Sequence, residues 1–485
     1  MQDTNHDNAE DQVTPWDSAE RLFRVEMNVT DCEVEGEIPS DLEGCFHRIG
    51  PDPQYRLHPN TIPFDGDGHA SVFRIKNGRV NFRSRFVRTD RYLAQEKAGR
   101  ILFPIYRNPY EDDPSVLGMS RSTANTHIVP YKNMMLALKE DSPPSALDPF
   151  TLETIDANYN FDGQLKGQTF TAHPKFDSHT GNLVGFGYEA DGHGSDAVQI
   201  YEFSRSGQLV WNVKINVPYV SLLHDFAVTE NFIAFFLQPV MFDEEQMRNG
   251  GVHWAWDSSQ PTYVGCIRRG GDGSDLKWVK GPTRGMYHIM GAFDDKERVY
   301  IDAPVSMGNQ LPFMPQKGGE WNLNDSKTIL TRTSMDMSGP SPKSFEMETL
   351  AQVGGELPRQ DDRYNTVPYR YGFQASSAPD AENTWQFTQY LRIDHQTGKI
   401  NRFQADPGVA LYECVFAPKS ARAGEGEGYI IGVGVNMAKG GETDLLILDA
   451  ERLEDGPIAK VKLPCQIPAQ IHSWWTPEYK LLASE

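Results

Sequence analysis

Thirteen histidines are the residues of this chain best suited to chemistry, and their neighbours divide them. His6, His58, His179, His193 and His395 lie among Asp, Asn, Gly, Ser, Thr or Pro, the composition of turns, and read as solvated surface groups. Of the eight that remain, four sit among apolar residues, as expected at strand ends that face an interior. They are His173 in Phe-Thr-Ala-His-Pro, His224 in Leu-Leu-His-Asp-Phe, His288 in Met-Tyr-His-Ile-Met and His472 in Gln-Ile-His-Ser-Trp-Trp. A buried imidazole requires a partner. Taken singly, the default for each is a hydrogen-bonded core histidine rather than a metal ligand. No two of the four are three or four residues apart, so the local helical zinc motif is absent. Their separations of 51, 64 and 184 residues suit ligands carried by different structural units that converge on one axis.

Other patterns carry less. Asp65-Gly-Asp-Gly68 resembles the start of a calcium loop but lacks the later ligands and the closing glutamate, so a tight turn accounts for it better. Asp361-Asp362 is a poor glycosidase pair, because adjacent strand residues point to opposite faces. Gly270-Gly-Asp-Gly273 reads as a hairpin turn without the following helix that a phosphate cradle needs. Five cysteines, scattered and with no Cys-x-x-Cys pair, read as free thiols rather than a disulfide framework.

The elements that must position these residues are strands. The stretch 71–87 alternates apolar and polar residues on both sides of Asn77-Gly78, the strongest short-range hairpin signal. The same design returns at 198–203 and 209–217 around Ser206-Gly207, at 385–393 and 400–403, and at 445–448 and 459–463 around Gly456-Pro457. Forty-two glycines and 32 prolines supply the turns, and no 3.6-residue period is sustained. The fold class is therefore all-β, and a closed sandwich or barrel competes with a β-propeller. The polar, acidic residues 1–14 read as a disordered tail, and 15–485 as a single domain. The irregular stretches 111–121, 308–325 and 338–360 read as insertions that build a functional face.

A formal net charge of −21 works against nucleic acid and anionic membrane surfaces as partners. The N-terminal residues show no basic region followed by an apolar one, and the apolar runs 232–237 and 429–435 are strand-sized rather than membrane spans. A cytoplasmic location is expected.

Ordered motifs along nearly the whole length carry a resemblance. They begin with Glu35-Gly-Glu-Ile-Pro39, Gly44-Cys-Phe-His-Arg48, Phe64-Asp-Gly-Asp-Gly68, Tyr106-Arg-Asn-Pro109 and Thr123-Ala-Asn-Thr126. They continue with Lys139-Glu-Asp141, Thr171-Ala-His-Pro-Lys175, His224-Asp-Phe226, Glu356-Leu-Pro-Arg359, Asp444-Leu-Leu-Ile447 and Ile471-His472. In these the chain resembles the carotenoid cleavage oxygenase family, within it the lignostilbene dioxygenase and isoeugenol oxygenase branch.

The resemblance implies a seven-bladed β-propeller with a helical and loop dome over the active-site face. It implies Fe(II) held by His173, His224, His288 and His472, with no organic cofactor. Four neutral donors favour Fe(II) and leave positions open for dioxygen. The family orients such imidazoles with glutamates, and the matching residues are Glu140, Glu356 and Glu413. Glu413 lies in Tyr-Glu-Cys-Val-Phe-Ala-Pro, where relatives more often read Gln-Glu-Pro, which puts its backbone setting in doubt. Tyr106 and Lys139 match residues that contact a substrate's 4-hydroxyl group, and Phe64 matches a pocket aromatic. Without the resemblance, Lys139 reads as the exposed end of the apolar strand 134–138. The expected activity is cleavage of the C=C bond of 4-hydroxystilbenes to two aromatic aldehydes by dioxygen. The alternatives are 4-hydroxyphenylpropenoids such as isoeugenol, an apocarotenoid, or a non-catalytic propeller scaffold. A small phenolic alkene and dioxygen are the expected partners, and a homodimer is compatible with this reading.

Overall fold

The computed structural model describes residues 22–339, 344–377 and 385–482, so the proposed 1–14 tail lies outside the described residues. The predicted hairpins form. Asp67–Lys76 and Arg79–Phe86 pair antiparallel across Asn77 and Gly78, whose φ values of 52° and 70° meet the requirement of a two-residue turn for two positive φ angles. Ala197–Phe203 pairs with Leu209–Asn216, Gln389–Asp394 with Ile400–Gln404, and Glu442–Asp449 with Pro457–Leu463.

These hairpins belong to seven antiparallel sheets of four or five strands among the described residues, the blades of a β-propeller. The chain ends are interleaved. The C-terminal strand His472–Pro477 pairs with Gly44–Asp52 and completes the blade built from the N-terminal strands. Glu33–Gly36 in turn pairs with Pro457–Leu463 on the edge of the last blade. Two blades thus each draw on both ends of the chain, which closes the ring by backbone hydrogen bonds.

In six of these sheets the strand at one end contains, or directly follows, a residue singled out above. These strands include Lys175–Phe176, Ala227–Val228, Gly291–Asp295, Glu356–Gln360, Val409–Pro418 and His472–Pro477. Faces of neighbouring blades bury aromatic and branched side chains against each other, with Phe373 stacked on Phe416 at 5.3 Å and Phe186 edge-on to Phe235 at 5.2 Å. Each such fully buried side chain contributes roughly 1.5–3 kcal/mol.

The cap over one face contains short helices, among them Asp90–Ala98 and Glu244–Arg248, together with loops. It also contains a small sheet that the sequence did not disclose: Val240–Phe242 and Trp254–Asp257 pair antiparallel, and Gln316–Lys317 joins in parallel. The stretch 308–325 is therefore an insertion as expected. The stretch 338–360 is not, because Glu346–Ala351 and Glu356–Gln360 are strands of two consecutive blades. Its Gly-Gly-Glu segment and scattered polar residues had masked the period of two. No helix among the described residues is long and apolar enough to cross a membrane.

Candidate active site

His173, His224 and His288 lie shortly before Lys175–Phe176, Ala227–Val228 and Gly291–Asp295, and His472 opens its own strand, so four blades deliver four imidazoles to the axis. One ring nitrogen from each comes within 4.8 Å of the others. His224 Nε2 lies 3.1 Å from His173 Nε2 and 3.1 Å from His288 Nε2.

The other ring nitrogens explain this convergence. His224 Nδ1 is 2.7 Å from Glu140 Oε2, His288 Nδ1 is 2.7 Å from Glu356 Oε2, and His472 Nδ1 is 2.9 Å from Glu413 Oε1. A carboxylate accepts, so each Nδ1 carries the proton and each Nε2 offers a lone pair; burial raises the Glu356 carboxyl to about 8, and a cation at the Nε2 atoms favours its ionised form. Lone pairs 3.1 Å apart repel unless a cation lies among them. Burial pushes the imidazoles of His173 and His472 well below their usual range and that of His288 to about 3, so all three are neutral donors near pH 7. The donor set therefore fits a metal ion.

Three other buried histidines each bond through one ring nitrogen to a group away from this cluster. His47 Nε2 faces the Pro149 carbonyl, His69 Nδ1 faces Asp52, and His127 Nδ1 faces the Ala172 carbonyl, each within 3.0 Å. His127 nevertheless packs, tilted, beside His173 and His472, with centroids 5.2 and 5.1 Å away, so the sequence had no means of separating it from the four.

Two of the glutamates reach the axis through irregular backbone. Strand pairing shifts register between Leu411 and Cys414, around Glu413, and between Glu356 and Arg359, where Leu357 has φ 54°. Such bulges re-aim a side chain out of the ordinary alternation of faces. The setting of Glu413, doubtful from its flanking sequence, is well defined. Its Oε2 accepts from the Ser473 amide at 2.6 Å and the Ser473 hydroxyl at 2.8 Å, and Arg359 lies 3.7 Å from Oε1.

Above the imidazoles a cavity of about 70 Å³ opens toward the cap. Phe64, Tyr106, Lys139 and Glu140 line it beside His224, His288 and His472. Lys139 is 5 % exposed, not a solvated strand end, and its Nζ lies over the Tyr106 ring, 4.9 Å from the centroid. Among the described residues its ammonium has no carboxylate within 4.0 Å. Burial, with Glu140 nearby, pushes the Tyr106 phenol well above its ordinary range, so it stays a protonated donor. Phe64 meets Phe313 edge to face at 5.3 Å. Phe313 comes from the 308–325 insertion. Trp254, Tyr287 and Trp385 also line the cavity, and nothing in their local sequence marked them.

The glycine-rich motif beginning at Phe64 holds the near wall. A Cβ on Gly68 would lie 2.2 Å from the Ala124 carbonyl oxygen, and the Gly68 amide donates to the Thr123 carbonyl at 2.7 Å. Asn125 then donates to the carbonyls of Phe64 and Gly66, both at 2.7 Å. Asp65 pairs with Arg91 at 2.8 Å, and Asp67 lies 3.7 Å from the same guanidinium. The motif is thus a packing device rather than a calcium loop. Gly68→Ala is expected to destabilise the chain by about 1–3 kcal/mol through overpacking, read as a lower thermal midpoint.

Fold and site together define a class: a β-propeller whose inner ends gather four imidazoles, able to hold a metal ion, beneath a largely apolar cavity. Comparison with known proteins agrees. The family model described as retinal pigment epithelial membrane protein matches residues 22–477. Lignostilbene-α,β-dioxygenase isozyme III of Sphingomonas paucimobilis is 36% identical over 95% of this chain and 96% of its own length. Isoeugenol monooxygenase of Pseudomonas nitroreducens is 34% identical over 94% of this chain and 96% of its own. The crystal structure of Pseudomonas brassicacearum lignostilbene dioxygenase superposes with a TM-score of 0.91 at 36% identity, covering 96% of this chain and 98% of that one. The chain belongs to the carotenoid cleavage oxygenase family and is an oxygenase that cleaves a carbon-carbon double bond.

Proposed function

We propose that this protein cleaves the C=C bond joining the two rings of a 4-hydroxystilbene, both atoms of dioxygen entering two aromatic aldehydes, with Fe(II) held by His173, His224, His288 and His472. Bound iron(II) supplies the binding and activation of dioxygen. Glu140, Glu356 and Glu413 fix three of the imidazoles as Nδ1–H tautomers.

The observation that carries the substrate reading is the buried Lys139 ammonium beside the Tyr106 phenol at the wall of an otherwise apolar cavity. A cation of this kind favours the phenolate of an incoming 4-hydroxyphenyl group. The phenolate then pushes electron density through the ring onto the conjugated alkene carbon that must meet oxygen. Tyr106 donates a hydrogen bond to the same oxygen, and Phe64 stacks on the substrate ring. Leu311, Phe313, Met314 and Trp385 exclude water and leave an apolar bed for the second ring.

The similarity to an isoeugenol monooxygenase supports a second reading, cleavage of a 4-hydroxyphenylpropenoid, which needs the same phenol anchor and less of that bed. Aerobic incubation of Fe(II)-loaded protein with a hydroxystilbene, isoeugenol, 4-vinylguaiacol and an apocarotenal separates the possibilities. The expected result is two aromatic aldehydes from the stilbene at the highest kcat/KM. Vanillin from isoeugenol as the preferred product would support the second reading. No aldehyde from any phenolic alkene would overturn both.

A further inference from the structure

Away from the four imidazoles, Glu189, His193 and His253 form a second cluster, with one ligand atom from each within 4.8 Å of the others. Glu189 and His193 lie in the turn between Leu183–Tyr188 and Ala197–Phe203, and His253 immediately precedes Trp254–Asp257 of the cap sheet. Glu189 and His253 are buried, while His193 is exposed at the rim of a groove that Arg107, Ser120 and Asp141 also line.

His253 is placed between two acceptors. Its Nδ1 is 3.2 Å from the Arg107 carbonyl oxygen, and its Nε2 is 3.0 Å from Glu189 Oε1. With its Nδ1 proton donated to the carbonyl, His253 can share a cation with Glu189 Oε1 through Nε2; otherwise Nε2–H bonds that oxygen, which also accepts from the Gly194 amide at 2.6 Å. Burial and the neighbouring Arg107 guanidinium push His253 toward its neutral form, in which the ring holds one proton and offers one lone pair.

The surroundings suit a metal ion. The His193 ring sits edge-on to His253, centroids 4.5 Å apart, and brings a third donor. Arg107 is shared between Glu189 and Asp141, so these three charged groups leave a net charge of −1. The Glu189 to His253 separation of 3.0 Å is near the roughly 3.3 Å edge of a tetrahedral zinc site with bonds of about 2.0 Å. A backbone carbonyl behind Nδ1 is the support that metal-bound imidazoles normally have.

We infer that Glu189, His193 and His253 form a second, divalent transition-metal site of zinc type, open to water at the groove and separate from the four-histidine centre. It rests on none of the residues assigned to alkene cleavage. Its position is consequential, because Arg107 follows Tyr106 directly and Asp141 follows Lys139 and Glu140.

The test uses the full chain with Fe(II) already loaded, equilibrated with zinc sulfate at neutral pH, desalted and analysed for both metals, with diffraction data collected at the zinc edge. The expected result is one zinc per chain beyond the iron, with an anomalous peak among the three side chains. His193→Ala, at an exposed position, should weaken zinc binding at least about tenfold while iron content and turnover stay unchanged. Glu189→Gln should weaken it too. Anomalous density confined to the four-histidine centre would overturn the inference, as would zinc binding of equal affinity in the wild-type and His193→Ala chains.

Discussion

Alanine at His224 is expected to abolish turnover and strip most of the iron. His224 Nε2 is the nitrogen with two neighbours at 3.1 Å, so its removal opens the centre of the cluster rather than its rim. The loss should exceed the roughly 10–100-fold change in metal affinity that follows when only a supporting carboxylate is removed. Glu140→Ala provides that comparison. It leaves all four Nε2 donors in place and frees the His224 ring to turn, so iron affinity should fall within that smaller range and activity should return with excess Fe(II). Iron per chain by elemental analysis, alongside kcat, checks both. Full activity and full iron in His224→Ala would remove this residue from the ligand set. Identical behaviour of the two variants would indicate that Glu140 does more than orient its partner.

Lys139→Met is the second large effect expected. Methionine preserves the unbranched stem and its packing while deleting the charge. An opposite charge within about 4–6 Å lowers an acid's pKa by about 1–3 units, so losing it should cut the phenolate fraction, and kcat/KM for 4-hydroxylated alkenes, by about 10–10³-fold. A 4-methoxy analogue cannot ionise, and whatever residual rate it shows should barely change between wild type and variant. Equal rates of the two proteins on the 4-hydroxy substrate would return Lys139 to a packing role over the Tyr106 ring. Because Lys139 is buried, the variant's thermal midpoint has to be followed in parallel, and a folded, iron-loaded and slow enzyme is the predicted outcome.

The sequence was most legible where local rules act. Asn77-Gly78 set its hairpin because a two-residue turn between twisted strands needs two positive φ values, and these residues accept them at little cost. Alternating side chains likewise marked one hairpin in each of four of the seven blades, since a period of two is a property of the chain itself. It failed at 338–360, where polar residues on both faces hid two strands that only pairing with their neighbours reveals.

The site divides in the same way. His173, His224, His288 and His472 were recognisable as interior histidines from apolar flanks, and motif resemblance separated them from His47, His69, His127 and His253. Composition and spacing alone could not, because what distinguishes these groups is the direction of one ring nitrogen, and every blade contributes to setting it. His127 shows this most clearly: it is buried against two of the four, yet its Nδ1 faces the Ala172 carbonyl rather than a carboxylate. Glu413 shows the reverse, an unpromising flank rescued by a bulge and by Ser473 from the next blade.

By itself, then, the sequence determined the β class, the hairpins and the residue types available for chemistry, all consequences of side-chain period and turn geometry within a few residues. The tertiary structure decided which histidines converge, that Lys139 is buried rather than exposed, and that Phe313 faces Phe64 across the cavity. Those outcomes depend on closing a ring of sheets with strands from both ends of the chain, and no local stretch of sequence encodes that closure.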